Sequence, residues 1–199
     1  MKHFSFLIFL FSLTACSDLA DPLAPGALVP RTVDEDTSLP SAQINGTQLH
    51  VETFGVPADP IIIMIHGGPG GDYRSLLEAK AFANDGFFVV FYDQRGTGLS
   101  QRVDASDFDD VQIMIDDLDA LIHHFRISED QKVFLVGHSW GAMLATGYIN
   151  QHPDKIDGAV LAEPGGFTWS QVEDYLSRSN KIKFFSEALN DALFPEQIF

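Results

Sequence analysis

Four short runs of the chain are apolar at nearly every position: Ile61 to Ile65, Phe87 to Tyr92, Lys132 to Val136 and Ala159 to Ala162. A strand that is hydrophobic on both faces belongs to a parallel sheet covered by other elements, so these runs predict covered strands rather than half-solvated ones. Between them lie helix-like segments. The clearest is the stripe Val111, Ile115, Leu118, Ile122 and Phe125, whose members recur alternately four and three residues apart on one face. Asp109 and Asp110 stand at its start and Arg126 at its end, the polarity that a helix dipole favours. Ahead of the first run, Ile44-Asn45-Gly46-Thr47 puts an Asn-Gly pair between short alternating segments and predicts an antiparallel hairpin that opens the domain. The repeated strand-helix order predicts an α/β fold, a mostly parallel sheet covered by helices and joined by right-handed crossovers. Counting the hairpin, Ala159 to Ala162 is a sixth strand, and a sheet that stops there keeps an unpaired apolar edge.

The two ends of the chain follow other patterns. Met1-Lys2-His3 is a short basic start, Phe4 to Leu13 is an apolar run broken by two serines, and Leu13-Thr14-Ala15 are followed by the only cysteine, Cys16. This is the layout of a signal peptide over 1–15, with too few apolar residues to span a bilayer. Leu-Thr-Ala-Cys is also similar to the lipobox of bacterial lipoproteins, which implies that Cys16 is lipidated and becomes the first residue of the mature chain. That resemblance implies a protein anchored in the bacterial cell envelope and facing outside the cytoplasm, at the outer membrane where one exists. Residues 16–40, with Pro22, Pro25, Pro30 and Pro40 among acidic and small residues, read as a tether. The domain is expected over 41–199.

Composition narrows the function. The 199 residues carry 12 Lys+Arg against 28 Asp+Glu, a net charge of −16, and 45% of them are hydrophobic. A chain this acidic repels phosphate backbones, which excludes nucleic acid as a natural partner. A single cysteine cannot form an internal disulfide, and no Cys/His cluster has zinc spacing; neither a metal nor a cofactor is expected.

The chemistry-bearing motifs sit where predicted strands end. Gly137-His138-Ser139-Trp140-Gly141 is a Gly-x-Ser-x-Gly element directly after one strand and directly before a helical segment. A turn this tight admits only glycine on either side and lifts the Ser139 hydroxyl to a helix N-terminus, with the Trp140 N–H facing a reacting carbonyl. His66-Gly67-Gly68-Pro69-Gly70-Gly71 follows another strand and is rich enough in glycine to bring a backbone N–H against a ligand oxygen. It lacks the Lys-Ser/Thr ending of a phosphate-binding loop. Tyr92-Asp93-Gln94-Arg95-Gly96-Thr97-Gly98-Leu99-Ser100 follows a third, and Asp93 and Arg95 are expected to pair and hold it.

HGGPGG, YDQRGTGLS and GHSWGA at these separations resemble the α/β-hydrolase superfamily, in particular its proline iminopeptidase branch, over about residues 44–167. The resemblance implies Ser139 as nucleophile and the N–H groups of Gly68 and Trp140 as an oxyanion hole. It implies hydrolysis of an amide or ester through an acyl-enzyme, with removal of an N-terminal residue in the iminopeptidase branch. It also implies that 168–199, with Trp169, Tyr175 and Phe184-Phe185, begin a cap. Family members place an acid and a base histidine on later strands, so the chain reads as truncated after the sixth strand, and its substrate-selecting cap as mostly absent. No base is visible among its seven histidines. Glu163, just past the sixth strand, is the candidate acid or a contact to the substrate's amine. A partner chain supplying the missing histidine is one expectation. A non-catalytic lipoprotein that keeps the hydrolase half-fold as a binding or scaffold module is the alternative.

Overall fold

The computed structural model describes residues 30–166 except Asp109, together with Thr168, Ser170, Gln171 and Asp174. The expected signal peptide, Cys16, most of the tether, and Trp169, Tyr175 and Phe184-Phe185 of the expected cap lie outside the described residues. Within them, six strands form one sheet: β1 (Ser41–Ile44), β2 (Thr47–Phe54), β3 (Ile61–Ile65), β4 (Phe88–Tyr92), β5 (Val133–His138) and β6 (Gly158–Ala162). Their order is β1-β2-β4-β3-β5-β6. The β1-β2 and β2-β4 pairs are antiparallel, and β4, β3, β5 and β6 run parallel. This is the α/β fold that the apolar runs predicted, with strand limits displaced by one or two residues at most.

The hairpin forms because Asn45 and Gly46 both take positive φ, 42° and 77°, which matches the twist of a two-residue turn. Helix α1 (Val111–Phe125) starts at Asp110, whose carboxylate accepts from the Gln112 N–H at 2.8 Å, and stops at Arg126. Helix α2 (Trp140–Gln151) follows β5 after the single residue Ser139. Both helices cover one face of the sheet, where Ile61, Ile63, Ile65, Val90, Tyr92 and Leu135 meet Leu118, Leu121, Leu144 and Tyr148. The opposite face is thinner. There Ile62, Met64, Val89 and Phe91 pack under a 3₁₀ segment, Tyr73–Asp85, through Tyr73, Leu76, Ala79 and Ala83. No apolar stripe of the sequence singles this segment out, because three of its apolar side chains are small alanines and Glu78 and Lys80 interrupt the run.

Two expectations are corrected. Residues 31–40, read as the end of the tether, are packed on the domain: Thr32 and Val33 are buried, and the Val33 N–H donates to the Leu99 carbonyl at 2.9 Å. The turns there, at 33–35 and 37–38, are held by acidic side chains, as where the Asp36 carboxylate accepts from the Ser38 N–H at 3.0 Å. Arg95 does not pair with Asp93. It reaches α1 and forms a buried two-pronged contact with Asp117, Nε and Nη2 each 2.6 Å from a carboxylate oxygen. Asp117 also accepts from the Asn45 side chain at 3.1 Å, so one carboxylate ties the loop after β4 and the opening hairpin to α1. The pairing raises the Arg95 pKa above its ordinary value.

Candidate active site

Parallel strands end on the same side of a sheet, and ligands of such folds bind where successive connections leave in opposite directions. Here that point lies at β3, because β4 is its neighbour on one side and β5 on the other. Ile65 of β3 pairs with Gly137 of β5. The same offset carried two residues further puts Gly67 beside Ser139, and a Cβ built on Gly67 would lie 3.1 Å from the Ser139 Cβ. The glycine loop and the Gly-x-Ser-x-Gly turn are therefore brought together by register alone.

Ser139 has φ 53° and ψ −118°, a conformation that a residue with a Cβ rarely takes. Strain of this kind costs about 1–3 kcal/mol and survives only where the surroundings over-determine it. They do so through the flanking glycines. A Cβ at Gly137 would collide with the Gly141 carbonyl, and one at Gly141 with the carbonyl oxygens of Ile65 and His66. The start of α2 thus lies against the backbone of β3, closer than any side chain allows. The Ser139 N–H donates to the Ala162 carbonyl at 2.9 Å, and its carbonyl accepts from Ala142 and Met143, which open the helix. The serine is half-buried at a helix N-terminus, where backbone donors and the helix dipole favour developing negative charge.

Gly68 is exposed, with φ +130°, and a Cβ there would run into the N–H groups of Gly70 and Gly71. The loop is held from beneath by His66, which is fully buried. Its tautomer is assigned from its partners. The Gln94 N–H can only donate and lies 3.1 Å from Nε2, so the ring proton resides on Nδ1 and is donated to the Gly67 carbonyl at 2.8 Å. Burial pushes the imidazole below the ordinary histidine range, opposed by the Gly67 carbonyl and by Asp93 and Asp72. Gln94 is buried too. Its side-chain nitrogen donates to the His66 carbonyl at 2.9 Å, and its side-chain oxygen accepts from the Trp140 indole N–H at 3.0 Å. In the sequence Gln94 stands as one residue of its motif; the parallel β3-β4 register, which puts it level with Gly67, is the signal that singles it out.

Asp93 is wholly buried and structural. Its carboxylate accepts from the backbone N–H groups of Tyr73 at 2.7 Å and Leu99 at 2.8 Å, and His50 Nδ1 stands 3.0 Å away. Glu163, the candidate acid, takes a left-handed φ of 49° just past β6. Its side chain is 86% exposed and lies 3.5 Å from His138 Nε2. The remaining described histidines stand elsewhere: His50 is buried on β2, His123 and His124 end α1, and His152 ends α2 with its ring on Tyr148.

Three comparisons bear on this arrangement. The family model described as Hydrolase_4, serine aminopeptidase S33, matches residues 57–196. A proline iminopeptidase of Arabidopsis thaliana is 30% identical over 148 residues, 74% of this chain and 35% of the relative. A cis-3-alkyl-4-alkyloxetan-2-one decarboxylase of Shewanella oneidensis is 34% identical over 126 residues, 62% of this chain and 37% of the relative. Among solved structures, the epoxide hydrolase VrEH1 of Vigna radiata superposes with a TM-score of 0.55 at 26% identity, covering 61% of this chain and 38% of that one. The chain thus spans little more than a third of the length of these three relatives. Sheet order and family match agree, and the chain belongs to the serine aminopeptidase S33 family of the α/β-hydrolases.

Proposed function

We propose that the chain carries the nucleophile half of a serine hydrolase that cleaves an amide or ester bond, most like a proline iminopeptidase. The observation that supports this reading furthest is the strained backbone of Ser139, held beside Gly67 at the head of α2. In the proposed reaction the Ser139 Oγ attacks the substrate carbonyl and a histidine takes its proton, supplied by a longer form of the chain or by a partner subunit. The N–H groups of Gly68 and Trp140 stabilise the oxyanion. The carbon–nitrogen or carbon–oxygen bond then breaks as the proton passes to the leaving group, and water releases the acyl group from Ser139. Glu163, exposed beside His138, would face a cationic group of the substrate, and the net charge of −16 favours a free peptide N-terminus over an acidic substrate.

The test is fluorophosphonate labelling of the protein expressed in its own host cells, where the longer chain or the partner subunit that supplies the histidine is available. Labelling that disappears in Ser139→Ala supports an activated serine; an unlabelled parent protein leaves the binding or scaffold reading in its place. The relatives' names span peptide, oxetanone and epoxide chemistry, so the labelled residue matters more here than the family name. We also propose that Cys16 is lipidated and anchors the protein in the cell envelope. Cys16→Ala should then move it from the membrane to the soluble fraction, and an unchanged distribution would refute the anchor.

A further inference from the structure

The two proposed oxyanion donors belong to different loops, and neither loop's own turn fixes the distance between them. Gly68 follows β3, whereas Trp140 follows β5. What joins them is the residue two places past the end of β4. Through its side chain Gln94 donates to the His66 carbonyl and accepts from the Trp140 indole, and through its backbone N–H it donates to His66 Nε2, while its own carbonyl accepts from Thr97. Both ends of its side-chain amide are engaged by the two donor loops, and the residue is 2% exposed, so water does not compete for these bonds.

The connection continues to the donor itself. The Gly67-Gly68 peptide is planar and trans, so its C=O and its N–H point in opposite directions. The Gly67 carbonyl accepts from His66 Nδ1 at 2.8 Å and from the Gly71 N–H at 3.2 Å. Holding that carbonyl on the buried side aims the Gly68 N–H the opposite way, and Gly68 is exposed. At the other end, the indole bond to Gln94 fixes the side chain of the residue whose backbone N–H is the second donor.

We propose that Gln94 is a positioning residue that sets the separation and aim of the two oxyanion donors, acting through His66 on Gly68 and through the indole on Trp140. This rests on the serine-hydrolase reading above. A donor misplaced by about 1 Å can cost on the order of a hundredfold in rate, so loosening the tie should act on the chemical step rather than on encounter.

The experiment follows, in the same host cells with the histidine donor available, the kinetics of fluorophosphonate labelling of Ser139 in the parent protein, in Gln94→Met, which keeps the length of the side chain, and in Trp140→Phe, which removes the indole donor and keeps an aromatic ring. The expected result is a roughly 10–100-fold lower maximal labelling rate for Gln94→Met with half-saturating probe concentration within about twofold of the parent. Trp140→Phe should lower the rate less. The double variant should be no slower than Gln94→Met alone, because the two side chains share one bond. Circular dichroism of each variant identifies any that fails to fold, in which case Trp140→Phe carries the test. Labelling of Gln94→Met or of folded Trp140→Phe at the parent rate overturns this inference and leaves the hydrolase reading intact. A parent protein that does not label at all overturns both.

Discussion

Strands β3 and β6 are both apolar runs of five residues in the parallel part of one sheet, yet all of β3 is buried while Ala159, Val160 and Leu161 of β6 are exposed. Composition does not separate them. Position does: β3 lies between β4 and β5, with α1 and α2 over one face and the 3₁₀ segment under the other, whereas β6 among the described residues pairs only with β5. An apolar strand buries its side chains only where both faces and both edges are covered. The candidate site straddles this difference. Its firm half, the turn at Ser139 and the glycine loop, stands over β3 and β5, and its open half, Glu163, stands at the end of β6 with its side chain in solvent.

The sharpest way to break the firm half is to add one methyl group. In Gly141→Ala the new Cβ must displace the carbonyl oxygens of Ile65 and His66, which belong to the backbone of the central strand and its loop and cannot rotate away. The start of α2 would have to move off β3, releasing the strain at Ser139. The expected loss is about 4 kcal/mol or more, enough to abolish folded protein in many domains of this size, and any folded remainder should no longer label at Ser139. Denaturant unfolding checks it. An unfolding midpoint unchanged from the parent would mean that the helix sits further from β3 than the register requires.

How far these halves could be read beforehand differs for the same reason. The hairpin, the four parallel strands, the α1 stripe and the turn at Ser139 were legible because each is specified locally, by an Asn-Gly pair, an apolar run, a helical period or two glycines. Contacts set by register between distant strands were not. Arg95 lies two residues from Asp93, and proximity in sequence suggested that they pair; in three dimensions Asp117, 22 residues further on, presents its carboxylate to the guanidinium instead. Gln94 was hidden similarly, since its bonds to His66 and Trp140 reach residues 28 and 46 positions away. The packing of Thr32 and Val33 was illegible because prolines and acids around them carry no periodicity. Val33 is held instead by the Leu99 carbonyl of the loop after β4.

The comparison of the two strands can itself be put to the test with one substitution in each. Ile63 is fully buried in the main core, so Ile63→Ala removes three buried carbons and leaves a cavity that the neighbouring strands and α1 cannot fill; about 2–5 kcal/mol should be lost. Val160 is 59% exposed at the middle of β6, where a long side chain reaches water without displacing a neighbour. Val160→Lys should therefore change the unfolding free energy by no more than about 0.5 kcal/mol. It should nonetheless reduce light scattering at high protein concentration, because a charge on an open strand edge opposes pairing with another chain. If Val160→Lys proved as costly as Ile63→Ala, β6 would have to be covered in solution, and the open half of the crevice would be as firmly built as the half that holds Ser139.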